Sequence, residues 1–282
     1  MSTLAFTQSE NARLEALNFL QQSVNQARWS HHVQQVSMLK QQSLQHPLFS
    51  QPILKRLQQQ SLSLEQLKLI HVNYFAAIVK VFTDALSMLI YQACQLEQHP
   101  NIHAHQRVQA KAYARYLLSL NLIDELGFNT YQLHLSSPSK SHLVYFIDLL
   151  QALEINPHAE HIVCPEAIEL NQFIQSHLDS YNHLLILLAC AELQVITYSE
   201  ALKINLEKYD PRFAQGYYAC HGVVDHSDRL ANDNNHEDDI WALLMQSFQP
   251  EQQAEYQALA QTYLDLWAKF WSKMNTMTHA ME

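Results

Sequence analysis

The segment from Phe213 to Leu230 carries the side chains with the clearest capacity for chemistry in this sequence. It contains His221, Asp225 and Asp228, spaced four and three residues apart. In an α-helix these intervals turn through about 400° and 300°, so the three side chains share one stripe. Such a stripe packs poorly, because buried charges need partners. Imidazole and carboxylate are ordinary ligands of divalent metals, so the stripe indicates a metal site or, alternatively, a solvated acidic face.

Three further candidates lie outside this segment. Glu192 interrupts the apolar run LLACAELQVITY, where a carboxylate is expected to be salt-bridged, protonated or bound to a metal. Glu125 ends the run LLSLNLIDELG, where a negative charge opposes the helix dipole and a surface acid is the alternative. His134, taken by itself, is expected to be a packed or surface histidine rather than a metal ligand. Together with the stripe that begins at His221, these three residues lie on three or four separate elements. A helical bundle can direct side chains from such elements toward one centre.

The composition indicates an almost entirely helical chain. Only 3 Gly and 8 Pro occur in 282 residues, whereas a β-rich fold needs many turns. Ser63 and Gln66 form a predicted capping box, and Gly127 is a predicted helix terminator. No composition break occurs, so we predict a single all-α domain over residues 1–282. The predicted helices cover 8–44 (as one or two helices), 53–60, 63–97, 103–125, 142–154, a stretch from 166, a stretch after 182 that carries Glu192, the segment described first, and 250–275.

The net charge and the cysteine spacing argue against several classes of function. The chain has 17 Lys and Arg against 27 Asp and Glu, a net charge of -10, and no basic cluster, so nucleic-acid binding is not expected. Its 4 cysteines form no CxxC pair, so a zinc knuckle or redox dithiol is not indicated. The N-terminus lacks the features of a signal peptide, and the run LLILLAC is too short to span a bilayer. We therefore predict a cytoplasmic protein without a membrane partner.

A family resemblance becomes visible when these motifs are placed in order. The run NLIDELG at 121–127, followed by His134, resembles the NL-x-DE-x-G…H signature of the iron-containing redox enzymes. These are heme-oxygenase-like di-iron oxidases and oxygenases, relatives of the TenA and PqqC proteins. Glu192 stands about thirty residues before His221, as a second Glu does in that family. The runs HPLF at 46–49 and LEQL at 64–67 are similar to the early helices of the family.

The resemblance implies an all-α, heme-oxygenase-like bundle that acts as a non-heme iron, O₂-dependent oxidase or oxygenase. Its partners would be O₂ and a small organic substrate or biosynthetic intermediate, and a homodimer is compatible with it. The cofactor would be two Fe(II) ions, with Mn as the alternative metal. Glu192 would also be catalytic, as a carboxylate that bridges the metals or moves during the cycle. The implied metal ligands are Glu125, His134, Glu192, His221, Asp225 and, as a substitute ligand, Asp228.

The sequence departs from the family pattern in two places. Asp228 stands where a final His is expected, and the interval from Glu125 to His134 is about one residue short. The first departure leaves open a metal-free TenA-like or PqqC-like enzyme, or a non-catalytic binding protein with an eroded metal site. Tyr217 and Tyr218 precede His221 by one turn. Ordinary aromatic packing is the favoured interpretation for both, and Tyr218 is kept as a candidate catalytic residue because it could supply a redox-active phenol.

Overall fold

The computed structural model describes residues 2–129, 132–157, 162–220 and 233–282. Within these ranges the chain is helical and contains no β-strand beyond one isolated bridge between Val24 and Ile102. The prediction of an all-α protein is therefore confirmed. The described α-helices are α1 (Ser2–Gln22), α2 (Gln26–Leu44), α3 (Pro52–Gln58), α4 (Leu64–Tyr74), α5 (Lys80–Gln92), α6 (Arg107–Glu125), α7 (His142–Ala152), α8 (Pro165–Gln175), α9 (Tyr181–Glu207), α10 (Tyr217–Cys220), α11 (Asp233–Ser247) and α12 (Gln253–His279).

Helix α9 lies at the centre of the hydrophobic core. It packs against α3, α5, α11 and α12, and every residue from Leu184 to Val195 is buried. Its apolar stretch and that of Leu64–Gln98 are long enough to cross a membrane by length and composition. The fold buries 83% and 50% of the respective apolar windows, which is how the core helix of a soluble protein also behaves.

The long helix predicted over 63–97 is present but is not uniform. Its start is the predicted capping box: Ser63 Oγ accepts from the Gln66 N–H at 3.3 Å, and Gln66 Oε1 accepts from the Ser63 N–H at 2.7 Å. A single π-helical turn, Phe75–Val79, then separates α4 from α5. Single π-helical turns inside α-helices are frequent at functional sites. Here the turn contributes two side chains to the pocket described below.

Helix α6 ends in the predicted glycine cap. The Phe128 N–H donates to the Ile123 carbonyl at 2.9 Å, and the Gly127 N–H donates to the Asp124 carbonyl at 2.9 Å. Gly127 has φ +81, and a Cβ atom there would lie 2.5 Å from the Ser137 carbonyl oxygen. The chain therefore turns sharply at Gly127 and packs the segment that leads to α7 against the end of α6.

The segment from Phe213 to Leu230, predicted to be a helix, is described only in its first part. Asp210 caps the short 3₁₀ turn Pro211–Ala214, accepting from the Arg212 N–H at 2.8 Å. Gly216, with φ +63, then leads into the single turn of α10, so the predicted helix is wrong over 213–216, where a 3₁₀ turn and a left-handed glycine stand instead. Residues 221–232 lie outside the described part of the chain.

Candidate functional site

A partly enclosed pocket lies where α5, α6, α7, α9 and α10 meet the π-helical turn. The space within it that holds no protein atoms is about 380 Å³ with open solvent included, and the centres of water-sized molecules can occupy only about 20 Å³ of it. Two carboxylates and one imidazole line walls that are otherwise mainly apolar. The lining residues are Ile78, Val79, Phe82, Thr83, Glu125, His142, Leu143, Glu192, Val195 and Tyr217.

A buried polar contact at this pocket joins Glu125 to His142. The Nδ1 atom of His142 lies 2.9 Å from Oε1 of Glu125, and both side chains are buried. Nε2 of the same ring lies 3.9 Å from Oδ2 of Asp124. Glu125 is the last residue of α6, and His142 is the first residue of α7. Each side chain is thus placed by a helix end, and the Gly127 turn brings the two ends together.

The environment of His142 favours its charged form. Burial by itself lowers the pKa of His142, but the negative charge of Glu125 and hydrogen bonds with Cys220 and Glu125 raise it, so the pKa lies well above the usual value. A carboxylate at a helix C-terminus and an imidazolium at a helix N-terminus are each opposed by their own helix dipole. In this pair each charge meets the favourable end of the neighbouring helix, so the two unfavourable placements offset each other.

Glu192 reaches the same pocket from the central helix. Its side chain is buried, as the surrounding apolar run indicates, and Val195 lies one turn further along the same pocket wall. Glu125 and Glu192 are 67 residues apart in sequence (192 − 125) and belong to different helices. Carboxylates are rarely buried unless they are paired or bind a metal, so two of them in one small pocket mark it as the candidate site.

The structure does not bring every predicted metal ligand to this pocket. His134 lies on the 3₁₀ turn Leu133–Leu135, is exposed and does not line the pocket. His221, Asp225 and Asp228 lie outside the described residues. Among the residues that are described, no three His, Cys, Asp or Glu side chains are arranged to hold a metal ion. The six-residue ligand set therefore remains a prediction.

Both tyrosines that precede His221 are buried at this end of the bundle. Tyr217 lines the pocket, and its ring meets the ring of Phe146 edge to face at 4.6 Å between centroids. Tyr218 lies behind it, with 5.4 Å between the two tyrosine ring centroids. The Tyr218 hydroxyl lies 2.6 Å from Nε2 of His71, a fully buried histidine on α4. The packing predicted for both aromatic rings is thus present, together with one specific polar contact.

Sequence reasoning singled out neither His142 nor His71. Each stands in an apolar helical run, in HLVYF and KLIHVNYF respectively, where a histidine is usually a packing residue. The sequence does contain one indication that His142 is unusual. It directly follows Ser141, which caps α7 by accepting a hydrogen bond from the Val144 N–H. A basic side chain in the first turn of a helix is unfavourable unless an acid lies nearby. That acid is Glu125, and the sequence alone does not show their proximity.

Comparison with known proteins is informative at the level of structure only. No protein-family model matches this sequence, and no curated protein matches it. A CADD-like protein of unknown function from Nostoc punctiforme has a similar structure, with a TM-score of 0.60 and 16% identity, covering 86% of this chain and 98% of that chain. A TenA homolog from Pseudomonas syringae gives a TM-score of 0.56 at 14% identity, covering 88% of this chain and 93% of that chain. This chain thus has the all-α fold of CADD-like and TenA proteins, a heme-oxygenase-like helical bundle.

Proposed function

We propose that this protein is a non-heme iron enzyme that uses O₂ to oxidise a small, largely apolar organic substrate. The observation that carries the proposal is the burial of Glu125 and Glu192 in one pocket, from two helices far apart in sequence. Two carboxylates that reach one buried pocket from different helices offer the oxygen donors that a divalent metal binds. The resemblance of NLIDELG and of the Glu192 to His221 spacing to the iron-containing redox enzymes supports iron as that metal.

The chemistry of the available donors fits iron. Glu125 and Glu192 offer carboxylate oxygens within the described structure, and His221 and Asp225 offer a nitrogen and further oxygens from the segment outside it. Together with Asp228 they would hold the metal, which supplies O₂ activation when bound. Carboxylate and imidazole ligands also suit Mn, so Mn is the competing metal. His134 would be a metal ligand only if its exposed turn moved toward the pocket when the metal binds.

The remaining pocket residues support such chemistry without touching the metal. His142 holds one oxygen of Glu125 through the 2.9 Å contact, and hydrogen bonds of this kind orient metal-binding carboxylates. Ile78, Val79 and Phe82 form an apolar wall of the pocket. Such a wall would bind an apolar substrate and exclude water. Exclusion of water strengthens the electrostatic interactions inside the pocket and limits side reactions.

One observation favours a second candidate, a metal-free enzyme of the TenA-like or PqqC-like type. His142 already gives Glu125 a positive partner within the protein, so this carboxylate does not require a metal. Glu125 and His142 would then act as a proton-transferring pair on an organic substrate. The TenA homolog is one of the structurally similar proteins, and its fold agrees equally with either candidate.

The test is an anaerobic calorimetric titration of Fe(II) into wild type, Glu192→Gln and Glu200→Gln. Glu200 is the matched control, because it is an exposed carboxylate on the same helix. We expect Glu192→Gln to weaken Fe(II) binding by about a hundredfold or more, since removal of even an indirect metal partner weakens binding by about 10–100-fold. Glu200→Gln should bind like wild type, and O₂ uptake after loading should follow the bound iron.

The outcomes separate the two candidates. Equal Fe(II) affinity in wild type and Glu192→Gln would remove Glu192 from the site, and no binding in wild type would favour the metal-free enzyme. Asp228→His provides a further check of the third position on the predicted ligand helix. Restoring the imidazole should tighten Fe(II) binding relative to Mn(II), because a neutral nitrogen donor replaces an anionic oxygen donor. Identical binding of both metals by both proteins would exclude Asp228 as a ligand.

A further inference from the structure

The contact between Tyr218 and His71 is short, buried and not explained by packing alone. Tyr218 is 1% exposed and His71 is 0% exposed. Their contact atoms, the Tyr218 hydroxyl oxygen and the His71 Nε2, lie 2.6 Å apart, and their rings meet edge to face. Packing two rings requires no such polar contact, so the chemistry of the two atoms decides what the pair can do.

The direction of this hydrogen bond follows from the other side of the imidazole. Nδ1 of His71 lies 2.7 Å from the Leu67 carbonyl oxygen, which can only accept. Nδ1 therefore carries a proton. Burial lowers the pKa of His71 to about 4, so the ring is neutral and Nε2 keeps its lone pair. Tyr218 must then donate its hydroxyl proton to Nε2, and that proton already points at a nitrogen base.

The pair lies directly behind the candidate site. Tyr217 lines the pocket, and its ring centroid is 5.4 Å from that of Tyr218. Phe146 packs against both Tyr217 and His71, at centroid distances of 4.6 Å and 6.0 Å. An oxidising group in the pocket would thus have one oxidisable ring between itself and Tyr218.

We propose that Tyr218 and His71 form a redox-active pair that stores one oxidising equivalent beside the pocket. One electron leaves the Tyr218 phenol for a one-electron oxidant, and the hydroxyl proton moves to Nε2 of His71. The products are a neutral tyrosyl radical and an imidazolium, so the pair gains the single positive charge that the departing electron leaves. Return of one electron and of the proton restores both side chains. The physiological oxidant would be the O₂-activating metal centre, and only this assignment of the oxidant rests on the proposed function.

The contrast with another buried tyrosine shows why His71 matters. Tyr198 is also fully buried, and its hydroxyl donates to the Leu48 carbonyl oxygen at 2.8 Å. A carbonyl accepts a hydrogen bond but does not take the proton, so oxidation of Tyr198 would leave an acidic radical cation with no base. Tyr198 is therefore the matched control for Tyr218: the residue type and burial are the same and the hydrogen-bond partner differs.

The test uses metal-free protein, so that it does not depend on iron binding. Flash photolysis with a ruthenium tris-bipyridine sensitiser and persulfate generates tyrosyl radicals, and EPR follows the component that persists after exposed radicals have recombined. We expect wild type and Tyr198→Phe to give this persistent radical and Tyr218→Phe to lack it. His71→Gln should slow its formation by about a hundredfold, the scale on which a positioned base accelerates proton transfer.

A second measurement identifies the radical without removing the tyrosine. With 3,5-difluorotyrosine incorporated at position 218, the persistent EPR signal should acquire fluorine hyperfine splitting. An unchanged persistent radical in Tyr218→Phe, or the absence of fluorine splitting, would overturn the inference. The radical test uses metal-free protein, so its result does not depend on whether the protein binds Fe(II). Failure of the redox-pair inference can therefore be distinguished from failure of the proposed function.

Discussion

Two buried histidines near Phe146 have opposite electrostatic states. Phe146 stacks on the His71 ring at 6.0 Å and lies one helical turn after His142 on α7. Burial lowers the pKa of both histidines. At His142 the carboxylate of Glu125 and the contact with Cys220 together outweigh burial and raise the pKa, whereas at His71 burial lowers the pKa to about 4.

The comparison shows that the partners, rather than the depth of burial, determine what each histidine can do. His142 acts as a cation that holds a carboxylate in place. His71 acts as a neutral base that accepts a hydrogen bond. A single end of the helical bundle therefore offers a charged pair at the pocket wall and an uncharged pair behind it, and three changes test this difference.

The largest effect is expected from removing the acid of the charged pair. Glu125→Leu removes the nearer of the two carboxylates beside the buried His142, and breaking one side of a buried ion pair destabilises a protein by about 3–5 kcal/mol. The pKa of His142 should also fall, because the charge and the hydrogen bond of Glu125 no longer raise it against burial. Urea unfolding and an NMR titration of the His142 ring measure the two effects.

The double variant Glu125→Leu with His142→Leu is the control. Replacing both partners by apolar side chains removes both buried charges, so the double variant should be more stable than Glu125→Leu alone. Purely additive destabilisation by the two substitutions would show that these residues do not form a coupled pair.

The contributions of the two histidines to the free energy of unfolding should also depend on pH in opposite directions. His71 has a lowered pKa in the folded state, so the contribution of its neutral ring is complete above the unfolded-state value of 6.5 and is lost as pH falls toward about 4. The loss amounts to about 3 kcal/mol across that window. His142 has a raised pKa, so its contribution is complete below 6.5 and is lost as pH rises through the folded-state value.

Unfolding free energies of wild type and His71→Gln, measured between pH 7 and pH 4, test this difference. His71→Gln removes the titrating ring, so its stability should decline less steeply than that of wild type as the pH falls. Parallel declines in the two proteins would mean that His71 is not held neutral in the folded state.

A smaller effect is expected at the turn that joins the charged pair. Gly127→Ala places a side chain at φ +81 and a Cβ against backbone, and non-glycine residues in this region are strained by about 1–3 kcal/mol. Gly216→Ala is the control: with φ +63 its Cβ would meet only the Tyr145 side chain, at 3.4 Å, so it should be destabilised less. Thermal unfolding ranks the two variants, and equal losses would show that the backbone contact at Gly127 is unimportant.

The sequence predicted the features that depend on local spacing. The capping box of Ser63 and Gln66 and the glycine cap at Gly127 involve contacts within a few residues, and both are present. The burial of Glu192 followed from its apolar run. The proximity of Glu125 and Glu192 was expected from the ability of a helical bundle to direct residues toward one centre and from the family resemblance, since no local pattern relates α6 to α9.

The sequence did not predict the contacts that depend on the path of a loop. His142 meets Glu125 because the chain after Gly127 turns back onto α6, and hydrophobic periodicity carries no information about such a path. His134, in that same connection, is exposed rather than at the pocket. The contact of His71 with Tyr218 spans 147 residues and is likewise invisible in either local run.

The central claim is that Glu125 and Glu192 belong to one iron site. The most direct test is the metal content of purified protein after anaerobic loading with Fe(II) and removal of unbound metal. We expect two iron ions per chain in wild type and in Glu200→Gln, and loss of bound iron in Glu192→Gln. Iron-free wild-type protein after loading, or a full iron content in Glu192→Gln, would contradict the account.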